Sequence, residues 1–228
     1  MELAPGLHVL ELAYERAGED VLIHPTCVET RRGLMLFDCG LPESLGQIET
    51  QLAAIDKSVD QVVRVLVTHQ DADHAGALNE LLTRTGAETL AHVDDAPYID
   101  GRKRPLGTDD EHRYPPAPID MGVVGGERLR TKAGPAHLVH TPGHTPGHLS
   151  IYFPRDKLLI AGDALVAEAG CLTGPRPAYT PDLGAAYESL AVLAALDIER
   201  VHCFHGGTVD ADDGRIEAIA DKGPSGQA

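Results

Sequence analysis

Within six residues, His69, Asp71, Asp73 and His74 supply two imidazoles and two carboxylates. Imidazole nitrogen and carboxylate oxygen are the donors that bind zinc and harder divalent cations. In an extended loop, alternate side chains face the same way, so His69, Asp71 and Asp73 can converge, and His74 can join them from the start of a following helix. The competing use of the two carboxylates is structural, with Asp73 capping the helix and Asp71 in a turn. Three further segments carry ligand types at strand ends. Thr141-Pro142-Gly143-His144-Thr145-Pro146-Gly147-His148 is a tight loop in which the intervening Pro and Gly exclude a helix, so only one of His144 and His148 is expected to ligate. Asp163 follows the apolar run Leu158-Leu159-Ile160, where a carboxylate is costly unless paired or metal-bound. His205 closes Val201–Phe204, and Gly206 and Gly207 after it leave room for a substrate.

The elements that must position these residues can be read from periodicity. GLHVLELAY, VLIHPTCVET and GLMLFDCG alternate with turn residues as short strands, the last two separated by the Arg31-Arg32-Gly33 turn. Leu45, Ile48, Leu52 and Ile55 recur at helical spacing over about 43–55. The β-branched run 62–67 reads as a buried strand leading into His69, and Ala75 to Leu82 as the helix after it. Strands are expected near 89–92, 128–129, 137–140, 149–153, 158–161 and 201–204, with a helix over about 183–196. Residues 94–126 hold five prolines and read as a long loop or insertion within a single domain spanning 1–228. A second irregular stretch covers 175–181, and the tail at about 222–228 reads as frayed.

Taken in order, these ligand-rich segments resemble the metallo-β-lactamase superfamily, whose signature is a His-x-His-x-Asp-His loop followed by separate His, Asp and His ligands. The resemblance runs from Asp38 in Phe37-Asp38-Cys39-Gly40 to His205. It implies an α/β fold, a four-layer αββα sandwich with ligands on loops along one edge of two sheets. It also implies two divalent metal ions (Zn, Mn or Fe): His69, Asp71 and His144 on one, Asp73, His74 and His205 on the other, and Asp163 bridging. Asp38 resembles the family's aspartate that orients a ligand histidine. The departure is Asp71, which stands where the family has its second histidine. A carboxylate there makes the site harder and shifts preference somewhat towards Mn²⁺ or Fe²⁺. The implied activity is hydrolysis of an ester, lactone or thioester by metal-bound hydroxide, with Asp73 as the catalytic residue that orients the nucleophile and carries a proton. Long-form glyoxalase II has an additional C-terminal helical region, whereas only a short segment follows His205. Acyl-homoserine lactonases place a tyrosine shortly after the bridging aspartate, where Ala164-Leu165-Val166 stand here.

The formal net charge is −16, which repels phosphate backbones and anionic lipid. The expected partner is therefore a small-molecule substrate, with no nucleic acid and no membrane, and a homodimer is the assembly allowed for. The opening residues show neither a basic segment nor an apolar core, and the four scattered cysteines form no CxxC pair, so a cytoplasmic protein with free thiols is expected. Tyr98, Tyr114 and Tyr179 could each donate to an oxyanion, although packed or exposed loop tyrosines are commoner. Arg102-Lys103-Arg104 reads as a solvated face, His148 as a support for the site, His24 and His92 as structural, and Cys39 as inert. Two rival functions share these ligands: an iron-dependent oxidoreductase of the persulfide dioxygenase or diiron type, and a metal-binding protein without catalysis.

Overall fold

The apolar runs Leu34–Phe37 and Leu158–Gly162 are buried at every position, as befits strands inside a sheet with no face left for water. Each lies in the sheet of one compact unit. The first unit comprises Met1–Val123 with Thr131–Ala133, the second Val124–Arg130 with Gly134–Ala228. The computed structural model describes residues 1–16, 18–106, 114–211 and 214–223.

The first unit contains β1 (Glu2–Ala4), β2 (Leu7–Val9), β3 (Leu12–Arg16), β4 (Glu19–Ile23), β5 (Thr26–Glu29), β6 (Leu34–Phe37), α1 (Leu45–Ala53), β7 (Val62–Leu66), α2 (Ala72–Ala75), α3 (Leu78–Thr85), β8 (Glu88–His92), α4 (Ala96–Ile99) and β9 (Met121–Val123). Its main sheet has the order β1-β2-β5-β6-β7-β8-β9, and β3 and β4 form a separate hairpin. β6, β7, β8 and β9 run parallel, with Phe37 opposite Leu66 and Leu66 opposite Leu90. Parallel strands bring their carboxyl ends to one edge, so the segments that follow β6, β7 and β8 meet there. Ile48 and Leu52 bury the apolar stripe of α1. The single helix expected over 75–82 is two, α2 and α3, broken at Gly76-Ala77. A β-carbon at Gly76 would lie 2.2 Å from the Ala72 carbonyl oxygen and 2.4 Å from Pro42 Cδ. The chain at Pro42 crosses so closely that only glycine fits. Of the expected loop 94–126, residues 107–113 lie outside the described residues; α4 and β9 occupy parts of the rest.

The second unit contains β10 (Arg128–Thr131), β11 (Gly134–His140), β12 (Leu149–Phe153), β13 (Leu158–Gly162), β14 (Val166–Glu168), β15 (Cys171–Thr173), α5 (Leu183–Ala194), β16 (Arg200–Cys203), β17 (Gly207–Asp210) and α6 (Arg215–Lys222). The sheet order is β10-β11-β12-β13-β16-β17, with β14 and β15 a small hairpin. β11 and β12 are antiparallel with His140 opposite Leu149, β12 and β13 are antiparallel, and β13 and β16 are parallel with Ile160 opposite His202. This register sets the loop 141–148 and the ends of β13 and β16 on one edge. Leu190 and Leu193 of α5 and Ile216 and Ile219 of α6 pack with Leu159, Val201 and Cys203 of the sheet. The expected frayed tail lies, from residue 224, outside the described residues; Lys222 closes α6.

Candidate metal centre

In the first unit, Asp38 leaves the end of β6 with φ 65°, a conformation that costs an L-residue about 1–2 kcal/mol. Its buried carboxylate offsets that strain. Oδ1 accepts from the Thr68 backbone N–H (2.7 Å), and Oδ2 accepts from the Thr68 hydroxyl (2.8 Å) and from His74 Nδ1 (2.8 Å). Because a carboxylate only accepts, the proton of His74 is on Nδ1 and its Nε2 carries the lone pair that a metal can take. The same reasoning applies to His69. The Thr68 hydroxyl gives its hydrogen to Asp38, so its oxygen accepts from His69 Nδ1 at 3.1 Å, again placing the ring's lone pair on Nε2. His69 and His74 are both buried, their ring centroids 3.9 Å apart.

Two carboxylates flank these nitrogens. Asp71 Oδ2 lies 3.6 Å from His69 Nε2, and Asp73 Oδ2 lies 3.9 Å from His74 Nε2. The extended loop expected over 69–73 ends at Asp71, because α2 starts at Ala72 and carries Asp73 as well as the expected His74. Asp71 occupies the position before that helix without capping it through its side chain. Helix capping therefore does not account for this carboxylate.

In the second unit, one oxygen of Asp163 stands between two imidazoles, with Oδ2 3.6 Å from His144 Nε2 and 3.4 Å from His205 Nε2. These separations exceed a hydrogen bond. They match the spacing of about 3.4 Å between two donors held at about 2.1 Å in a tetrahedron around one cation. Each His–Asp pair at 3.4–3.6 Å thus fits two donors on one divalent metal, in chemistry and in spacing.

His144 is placed by α5. Gly143 adopts φ 136°, and a β-carbon there would sit 2.4 Å from the Ala186 backbone nitrogen. Asp182, whose side chain caps α5 through the Ala185 N–H, donates its own N–H to the Gly143 carbonyl, and the Ser189 hydroxyl donates to the Pro142 carbonyl. Asp163 is placed by His148, whose supporting role takes a definite form. The Asp163 backbone N–H donates to His148 Nε2 (2.9 Å), so that ring is neutral with its proton on Nδ1. Nδ1 donates to the Thr141 hydroxyl (2.8 Å), which donates to Ser150 (3.0 Å), which donates to the Ala161 carbonyl (3.0 Å). Replacing His148 by Leu strands the buried Asp163 N–H at a cost of about 1–3 kcal/mol and frees the turn that carries the carboxylate. The expected result is a 10–100-fold loss of metal affinity, on the scale of other outer-sphere losses. His148→Gln, which still offers an acceptor to Asp163, should recover part of it; metal titration followed with thermal unfolding measures both.

Other residues have their places. The Tyr114 phenol is buried and donates to the Gln70 carbonyl, while Tyr179 is exposed. Arg102 pairs with Asp100, and Lys103 lies over the Tyr98 ring, so the basic run serves its own neighbours. Burial pushes the Cys39 thiol well up and holds it un-ionised, and its Sγ lies 3.1 Å from the His74 carbonyl. The room expected at Gly206 is already filled. A β-carbon there would meet the Ala167 carbonyl at 1.8 Å, so this glycine serves strand packing rather than substrate access. Sequence reasoning missed Thr68, Gln70 and Thr141, which carry no ligand signature of their own.

The family model described as the metallo-beta-lactamase superfamily matches residues 21–205. The chain belongs to the metallo-β-lactamase superfamily. Its superfamily homologues are hydrolases, hydroxyacylglutathione hydrolases and β-lactamases among them. Among similar proteins is a probable metallo-hydrolase, YflN, of Bacillus subtilis (strain 168), 28% identical over 75% of each chain. A hydroxyacylglutathione hydrolase of Cereibacter sphaeroides is 27% identical, over 80% of this chain and 64% of the relative. The chain spans about half to two thirds of the length of such hydroxyacylglutathione hydrolases. A metallo-β-lactamase family protein from Thermus thermophilus superposes with TM-score 0.76 at 22% identity, over 96% of this chain and 79% of that one. BJP-1, a subclass B3 metallo-β-lactamase of Bradyrhizobium japonicum, gives 0.72 at 19%, over 99% and 90%. The fold of this superfamily member is thus the α/β metallo-β-lactamase fold.

Proposed function

We propose that this superfamily member hydrolyses an ester, lactone or thioester of a small molecule at a dinuclear metal centre. The observation that carries the proposal is the repeated pairing, in each unit, of a histidine Nε2 with a carboxylate Oδ2 at 3.4–3.6 Å. His69, Asp71 and His144 would hold one ion, Asp73, His74 and His205 the other, with Asp163 shared, as in the family pattern. Once bound, such a pair of cations supplies a nucleophile at neutral pH and an electrophile for the carbonyl oxygen. The protein's own share is positional. Asp38 and Thr68 fix two imidazoles in the ligating tautomer, His148 fixes the Asp163 turn, and Asp73, a quarter exposed, is the carboxylate able to orient water and pass a proton to the leaving group. Relatives named hydroxyacylglutathione hydrolase favour a thioester within this substrate class. Among the described residues no helix is long and apolar enough to cross a membrane. The buried free thiols of Cys27, Cys39 and Cys203 fit a reducing compartment, and a cytoplasmic location is proposed.

Metal-replete protein is expected to hydrolyse at least one member of a panel of activated esters, lactones and thioesters above the buffer rate. A chelator should remove that activity, and Zn²⁺ or Mn²⁺ should restore it. Turnover absent across the panel with metal bound would establish a non-catalytic metal protein. One iron per chain with oxygen uptake would establish an oxidoreductase instead.

A further inference from the structure

Gln70 lies between two residues read as ligands, His69 and Asp71, and is buried. Both polar atoms of its side-chain amide are hydrogen-bonded. Oε1 accepts from the Leu106 N–H (2.7 Å), while Nε2 donates to the Leu106 carbonyl (3.2 Å) and to Asp71 Oδ1 (2.7 Å). Exchanging O and N would set an NH₂ against the Leu106 N–H and a carbonyl oxygen against a carboxylate, so only this orientation is stable. The Gln70 backbone is clamped as well. Its N–H donates to Asp95 Oδ2 (3.1 Å), and its carbonyl accepts from Tyr114, whose phenol is kept protonated by burial and by the carboxylates of Asp71 and Asp95. Asp71 therefore has one oxygen held by a fixed amide, and the other, Oδ2, is the one turned to His69 Nε2.

We propose that Gln70 is a positioning residue that holds Asp71 to a single ligating oxygen, so that a carboxylate replaces one imidazole nitrogen without adding a donor atom to the first cation. This rests on the reading of Asp71 as a ligand. A carboxylate left to itself can bind through both oxygens, which raises the coordination number and suits Mn²⁺ better than zinc. With Oδ1 committed to the amide, the variant motif keeps the low coordination number natural to zinc, despite its harder donor. Gln70 thereby offsets the shift towards Mn²⁺ that Asp71 alone would bring.

The test is Co²⁺-substituted full-length protein, because the visible d–d absorption of Co²⁺ weakens as its coordination number rises, together with Zn²⁺/Mn²⁺ competition. In Gln70→Leu the absorption should fall several-fold, and the preference for Zn²⁺ over Mn²⁺ should drop roughly tenfold, the lower end of outer-sphere effects. Gln70→Glu, which keeps an acceptor for the Leu106 N–H and loses the donor to Asp71, should move both readouts the same way and carries the test if the Leu variant does not fold. An unchanged spectrum and unchanged preference in the Glu variant would overturn the proposal. Asp71→Ala separates this from the reading beneath it. If Asp71→Ala alters the Co²⁺ spectrum while the Gln70 variants do not, only the positioning role fails. If Asp71→Ala leaves the spectrum intact, Asp71 is no ligand and both fail.

Discussion

Asp163→Asn is expected to lower kcat/KM by more than about 100-fold, beyond the upper end of what loss of an outer-sphere partner costs, and to reduce metal bound per chain. Oδ2 of this residue stands 3.6 Å from His144 Nε2 and 3.4 Å from His205 Nε2. A carboxylate oxygen can share a cation with each imidazole, whereas an amide is uncharged and half of it is a donor. The folded state should survive. The Asp163 backbone is held by His148, and the hydrophobic core of the unit, with Leu159, Ala161, Leu165 and Val201, is left in place by the substitution. Metal analysis, steady-state rates on the best panel substrate and a thermal melt together make the measurement. An Asn variant with full metal content and wild-type rate would remove Asp163 from the centre.

Much of the fold was legible because burial leaves a mark on sequence. Leu34–Phe37, Val62–Leu66 and Leu158–Gly162 are strands deep in sheets, and their apolar runs announce it. Leu183–Ala194 shows helical spacing and is a helix, buried along Tyr187, Leu190 and Leu193. Strands of three or four residues such as β1, β14, β15 and β17 are too short to show a period. Pro42 approaches Gly76, between α2 and α3, from more than thirty residues earlier, and no local pattern encodes that approach. The same division holds at the site. Imidazoles and carboxylates at strand ends are conspicuous, since few other roles explain them. Thr68, Gln70 and Thr141 are ordinary polar residues until the fold brings Asp38, Leu106 and His148 to them. Ligand types are written in the sequence; what fixes their tautomers and denticity is written in long-range hydrogen bonds.

Asp38→Asn tests that last dependence with the smallest change in shape. Asparagine tolerates the left-handed backbone at φ 65° about as well as aspartate, so the strain is unchanged. Its oxygen can still accept from the Thr68 N–H, but the NH₂ then faces the Thr68 hydroxyl and His74 Nδ1, where the carboxylate accepted from both. Turning the amide over only moves the conflict to the Thr68 N–H. The local escape is for His74 to shift its proton to Nε2 and accept at Nδ1, which removes Nε2 as a metal donor. The expected outcome is a loss of about 1–3 kcal/mol of stability from the disrupted buried bonds, and a 10–100-fold weaker affinity at the ion held through His74. Nitrogen-15 NMR of the imidazole should show the proton on Nδ1 in the wild type and on Nε2 in the variant. A variant that keeps the Nδ1 proton and binds its full complement of metal would mean that Asp38 supports the fold alone and leaves the tautomer to other groups.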